Sequence, residues 1–339
     1  MKTIDLEAHF ITEEFLKMMY ENRDFPRYVK DKQGRTMVSW SADATNPIGN
    51  VLLNKLLDIG DGRLKEMDEA GIDVQVLTLP APGVELFDPK TGTALAKKTN
   101  DLLSEVIQKH PDRYLGFAAL APNDPEAAAD ELERAVKELG LKGWKTHSNY
   151  GDSYLDESKY WPILEKAAEL NVPVYLHPSF PAISQLRTSY GFALAGAAFG
   201  FGFETAMCMM RLILSGLFDR YPGLKIILGH LGEALPFLHN RMDHPYLRSS
   251  FQHGARPHLN KRPSEYMQNN VFVTTSGNYH IPAFFCTSET LGIEKIMLGT
   301  DYPYEHSLEG IKFIESLSLS PENKAKIYEQ NARQLGLTI

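Results

Sequence analysis

At 339 residues, 43% hydrophobic and 23% charged, the chain has an ordinary globular composition with material for a large core. Its 35 lysines and arginines against 43 aspartates and glutamates give a formal net charge of −8, which argues against a nucleic-acid partner or an anionic membrane surface but not against a local basic pocket. The two cysteines, Cys208 and Cys286, provide no disulfide framework, the N-terminus has no apolar leader and no apolar run is long enough to span a bilayer, so a soluble cytoplasmic protein is expected.

Short apolar, β-branched runs follow one another along the chain: Thr3–His9, Ile72–Leu79, Tyr114–Ala121, Gly143–Ser148, Val172–His177, Lys225–His230, Val271–Ser276 and Lys295–Asp301. Between them, Ala94–His110, Pro125–Leu139, Leu155–Leu170 and Thr205–Arg220 carry apolar residues at helical spacing. Strands alternating with helices predict right-handed βαβ units and a parallel sheet. Eight such repeats suit a closed (β/α)8 TIM barrel, an architecture of roughly 200 to over 400 residues, better than an open doubly wound sheet, the alternative that periodicity alone leaves open. The chain reads as one barrel domain over 1–339, interrupted by long insertions at about 10–61 and 178–203. In a barrel both insertions fall on the C-terminal face, where active sites are built. For the second, rich in Gly, Ala and Phe, a lid and a subunit contact are both open readings.

The polar residues share one address, the C-terminal ends of these strands. The first run ends in Glu7-Ala-His9, the fifth in His177, the sixth in His230 with Glu233 beyond it, and the eighth in Asp301. Glu7 and His9, two apart on a strand, point to the same face. With His177 and Asp301 they form an oxygen and nitrogen set suited to one divalent ion, Zn2+ or Mn2+.

The order Glu-x-His, His, His, Asp resembles the amidohydrolase superfamily. Within it, residues 203–233 (FETAMCMMRLILSGLFDRYPGLKIILGHLGE) and 298–303 (LGTDYP) resemble the non-oxidative aromatic-acid decarboxylases, typified by the γ-resorcylate, 2,3-dihydroxybenzoate and 5-carboxyvanillate enzymes. The resemblance implies Glu7, His9, His177 and Asp301 as metal ligands, His230 and Glu233 as a catalytic pair beside them, and a homodimer or homotetramer. It also implies a small aromatic carboxylic acid as substrate and no organic cofactor. No glycine-rich nucleotide loop follows any of the strands. Many superfamily members begin with His-x-His. Glu7 in that place lets two carboxylates cancel the ion's charge, which favours chelating a substrate over acidifying water. Binuclear members use a carboxylated lysine, for which Lys145 is the candidate, but this branch resembles mononuclear enzymes. His147 is a substrate-contact candidate, with capping of its strand end the equal alternative.

The implied reaction is loss of CO2 from an ortho-hydroxylated benzoate. Asp301 is the candidate proton donor to the ring carbon, and His230, oriented by Glu233, handles the hydroxyl proton. The alternative is metal-dependent hydrolysis of a lactone, amide or ester, with Asp301 as general base and His230 polarising the carbonyl. Arg241 and Arg248 are candidates for reaching into a neighbouring subunit's site.

Overall fold

A computed structural model describes residues 2–42, 44–187, 190–248 and 257–339. Eight parallel strands form its centre: β1 (Ile4–His9), β5 (Val74–Thr78), β6 (Tyr114–Gly116), β7 (Trp144–His147), β8 (Val174–His177), β9 (Ile226–Leu228), β10 (Val271–Thr274) and β11 (Ile296–Met297). Hydrogen-bonded pairing gives the orders β1-β5-β6 and β11-β10-β9-β8-β7. Two seams join these arcs. Ala118 bridges Trp144, donating to Gly143 O at 2.8 Å, and Ala8 bridges Tyr302, with Leu6 N donating to Leu298 O at 2.9 Å. The sheet therefore closes, and the fold is the expected (β/α)8 barrel. The strands are shorter than their apolar runs.

Two apolar clusters follow from the period-two alternation of the strands. Tyr175, Ile227, Phe272 and Met297 fill the barrel interior, while Val174, Leu176, Ile226, Leu228 and Val273 pack outward against the helices. The helices start where sequence chemistry stops their orphan N–H groups. Asp88 accepts from the Lys90 and Thr91 amides ahead of the helix Pro89–Lys109, and Asp124 accepts from Ala127 N ahead of Pro125–Lys137. The first helix thus begins five residues earlier than its apolar periodicity alone predicts.

Residues 10–61 are not a simple loop. They contain the helices Glu13–Glu21 and Asn50–Leu57 and an antiparallel sheet of β2 (Arg27–Lys30), β3 (Thr36–Ser39) and β4 (Thr45–Pro47). The fully buried Arg63 ties this insertion to the barrel, donating to Lys55 O (3.0 Å), Asp58 O (2.7 Å) and His9 O (2.6 Å). The second insertion holds two short helices, Ser184–Arg187 and Phe192–Ala195, and its last residues already belong to the helix Gly200–Leu214, before the expected start at Thr205. Residue 43 of the first insertion and residues 188 and 189 of the second lie outside the described residues. Trp40 stacks on Phe180 at 5.4 Å, joining the two insertions above the C-terminal face. Among the described residues no helix is long and apolar enough to cross a membrane.

Candidate active site

A local irregularity in β1 aims the two leading residues. Pairing with β5 advances from Asp5 to Ala8 while the partner advances only from Gln75 to Leu77, so one extra residue is accommodated. Ile4 and Leu6 belong to the interior cluster, whereas Ala8 faces the helices. The bulge therefore switches parity and turns Glu7 and His9 inward, a recurrent use of bulges beside active sites. Without it, both would face the helix layer.

Glu7, His9, His177 and Asp301 converge, with one oxygen or nitrogen from each lying within 4.8 Å of all the others. The hydrogen bonds fix both tautomers. His177 Nδ1 faces the carbonyl of Pro178 at 2.8 Å and must donate to it, leaving Nε2 as a bare lone pair. Thr78 uses its hydroxyl proton on Ala8 O (3.3 Å), so His9 Nδ1 donates to Thr78 Oγ1 (3.0 Å) and its Nε2 is bare as well. Yet His177 Nε2 sits 3.1 Å from Glu7 Oε1, and His9 Nε2 sits 2.8 Å from Asp301 Oδ1. Lone pairs face carboxylates with no proton between them, and Glu7 Oε1 and His177 Nε2 are buried without a hydrogen-bond partner. A divalent cation satisfies all four atoms at once, so the residues fit the metal that the sequence implies. Burial pulls the His177 imidazole down to about 3, reinforced by the charge of Lys145, so it is neutral as a ligand must be. Burial acts to raise Glu7, but the charge of His230, whose own pKa is raised, opposes this and acts to lower it.

His230 reaches the same mouth from an unusual backbone. His230, Leu231, Gly232, Glu233 and Ala234 all have positive φ, between 54° and 85°. This left-handed turn is pinned by Leu231 N to Thr274 O (2.8 Å), Gly232 N to Gly229 O (2.8 Å) and His230 N to Ser276 Oγ (3.2 Å). It brings His230 Nδ1 to 2.7 Å from Glu233 Oε1 and leaves Nε2 4.0 Å from Asp301 Oδ2. Burial acts to lower the His230 pKa, but the Glu233 carboxylate and then Asp301 raise it well above the ordinary value.

Comparison with known proteins agrees with this geometry. The amidohydrolase family model matches residues 4–335. The chain belongs to the amidohydrolase family. It is 38% identical over 342 residues to the γ-resorcylate decarboxylase of Polaromonas sp. (strain JS666), a match covering 98% of this chain and 97% of that one. Its structure resembles that of 5-carboxyvanillate decarboxylase from Sphingomonas paucimobilis, with a TM-score of 0.88 and 32% identity over 98% of both chains. It also resembles a dihydroxybenzoic acid decarboxylase from Polaromonas sp. JS666 with bound manganese and an inhibitor, 2-nitroresorcinol; the TM-score is 0.83 and the identity 37%, over 98% of this chain and 96% of that one.

Against this family background the strand-β7 residues are informative. Lys145 Nζ donates to Leu79 O and lies 2.9 Å from His147 Nε2, and His147 Nδ1 lies 2.8 Å from Glu85 Oε1. Both His147 nitrogens are thus taken inside the protein, and Lys145 is a hydrogen-bonded amine. Burial pulls Lys145 down to about 7 and pushes Glu85 up to about 8. Glu85 lies outside every strand run and carries no signal that sequence reading could use. Tyr175, Thr274 and Ser276 also escaped it. Tyr175 could have been found, because it stands two residues before His177 on the same strand face.

Proposed function

We infer that this protein is a metal-dependent non-oxidative decarboxylase that releases CO2 from an ortho-hydroxylated, dihydroxybenzoate-type acid and leaves a phenol. The observation that carries the reading is the pairing of two carboxylates, Glu7 and Asp301, with two neutral imidazoles, His9 and His177, in a chain 38% identical to a γ-resorcylate decarboxylase over 98% of its length. Such a donor set neutralises a divalent ion's charge. When bound there by Glu7, His9, His177 and Asp301, the ion would supply Lewis-acid chemistry toward an acid with a neighbouring hydroxyl. Two oxygen ligands, and the manganese in the Polaromonas structure, favour Mn2+ over Zn2+.

The residues divide the remaining work. Heterolysis of the aryl–carboxylate bond would leave a carbanion without resonance stabilisation, so the ring carbon must be protonated before CO2 departs. Asp301, four residues beyond β11 with Oδ2 toward His230, is our candidate to deliver that proton, having received it from the phenolic hydroxyl by way of His230. His230, held by Glu233, exchanges the phenolic proton through Nε2. With both of its nitrogens occupied, His147 serves this reading by shaping the wall of the mouth, not by donating to substrate. Exposed apolar side chains at the end of the second insertion and after the sixth barrel strand, including the stacked Phe199 and Phe203 and also Phe237 and Leu247, support a homodimer or homotetramer. Arg241 and Arg248, exposed on the stretch after the sixth barrel strand, are our candidates for reaching a neighbouring subunit's site in such an assembly.

Chelation and reconstitution test this reading. Protein stripped of metal is expected to lose decarboxylation of 2,6-dihydroxybenzoate and to regain it with about one equivalent of Mn2+ per chain. Full turnover in strong chelator, with no transition metal by elemental analysis, would contradict it.

A further inference from the structure

Glu7 has two oxygens with different surroundings. Oε1 faces His177 and the ligand cluster, whereas Oε2 points into the barrel and receives the hydroxyls of Tyr175 and, at 3.1 Å, Thr274. All three side chains are buried. The hydroxyl protons can be assigned one by one. Tyr175 has a single proton, and its carboxylate contact is the shorter of its two, so that proton goes to Oε2. Thr274 gives its proton to the same oxygen, leaving Thr274 Oγ1 to accept from Ser276 Oγ at 2.9 Å. Ser276 Oγ in turn accepts from the backbone N–H of His230 at 3.2 Å. The result is a directed chain in which every donor is used once, running from the left-handed turn to a single oxygen of Glu7. Gly229 leaves room for it. A Cβ there would lie 3.3 Å from Ser276 Oγ and Tyr175 Oη and 3.4 Å from Glu7 Oε2.

A carboxylate free to rotate can offer a metal one oxygen or two. Two hydroxyl donors on Oε2, fixed on β8 and β10 to either side of β9, oppose that rotation. We propose that Tyr175, Thr274 and Ser276 are positioning residues that restrain Glu7 to one free oxygen, so that the metal keeps positions for both oxygens of a salicylate-type substrate. The inference rests on the metal-site reading above. None of the three residues needs to touch substrate. Their effect is to stop Glu7 from competing with it.

The test separates metal retention from chelation. Wild type, Tyr175→Phe, Thr274→Val and Thr274→Ser are loaded with Mn2+, and the electron paramagnetic resonance of the ion is followed while 2-nitroresorcinol is titrated in. Tyr175→Phe and Thr274→Val are expected to keep Mn2+ affinity within about threefold of wild type and to bind 2-nitroresorcinol at least tenfold more weakly. In turnover of 2,6-dihydroxybenzoate, KM should rise more than kcat falls. Thr274→Ser, which restores the hydroxyl, should return to wild-type behaviour, and Thr274→Val repeats the measurement on a second background should Tyr175→Phe fold poorly. Variants that match wild type in both titrations overturn the inference and leave the metal site standing. Variants that lose Mn2+ and 2-nitroresorcinol in equal proportion also overturn it, because the hydroxyls would then only hold the site together. A wild-type protein that retains no Mn2+ removes the metal reading and this inference with it.

Discussion

His230 has Nδ1 held by Glu233 at 2.7 Å and Nε2 4.0 Å from Asp301, beyond hydrogen-bond distance, and it lies outside the four-residue ligand cluster. His230→Asn is therefore expected to retain metal by elemental analysis while turnover drops by about 10²- to 10⁴-fold, the scale of a lost acid–base group. Glu233→Gln should cost less, since it orients the imidazole without touching substrate. Wild-type rates in His230→Asn would reduce the residue to scaffolding. Glu85 gives a pH test away from the metal. Burial raises its carboxyl from 4.5 to about 8, so the folded state holds a proton that the unfolded chain has released. Its contribution to stability is fully present below pH 4.5 and is lost as pH rises through 8. Glu85→Gln should flatten the fall in urea midpoint between pH 5 and pH 8; an unchanged slope would refute the assignment. Residues such as Glu7 and Asp301 were legible in the sequence because strand ends are legible. Glu85 was not, because only the fold brings the Val84–Leu86 turn against His147.

The left-handed turn 230–234 is the element on which the contact between His230 and Glu233 depends. Each non-glycine residue there costs on the order of 1–2 kcal/mol, stored where function requires it. Gly232, at φ 85°, would place a Cβ 3.1 Å from Pro236 and 3.2 Å from Val273. Gly232→Ala should destabilise by about 1–2 kcal/mol in denaturant titration. Ala234→Gly, at φ 62°, should gain at most about 1 kcal/mol, the relief of strain being partly offset by the entropy of the unfolded glycine. Equal effects of the same sign would contradict the strain account. The strand that leads into this turn was legible from Lys225–His230, but the turn itself was not, because four of its five residues are ordinary L-residues held at positive φ by tertiary hydrogen bonds. The β1 bulge was hidden for a related reason. Period-two counting correctly put Glu7 and His9 on one face, yet it could not show that Ile4 and Leu6 share the interior with them. The antiparallel sheet β2-β3-β4 went unread because its strands are three or four residues long and largely polar.

At the scale of the whole molecule, eight strand runs separated by helices were enough to give the barrel, since right-handed crossovers leave few alternatives. Closure itself rests on the two irregular seams at Ala118–Trp144 and Ala8–Tyr302, which no local pattern encodes. The exposed aromatic stretch around Phe199 and Phe203 leads us to expect an assembly larger than one chain; a monomer by light scattering at micromolar protein would refute that. The barrel, the ligand cluster and the proposed roles of His230 and Asp301 converge on one claim, that the proton replacing the carboxylate is delivered by the site. Turnover of 2,6-dihydroxybenzoate by Mn2+-loaded protein in D2O, followed by NMR, tests it most directly. The account predicts CO2 release without oxygen or organic cofactor, and resorcinol carrying one deuterium at the carbon that lost its carboxylate. Metal-loaded protein that leaves hydroxybenzoates intact while opening lactones or cleaving amides would contradict it.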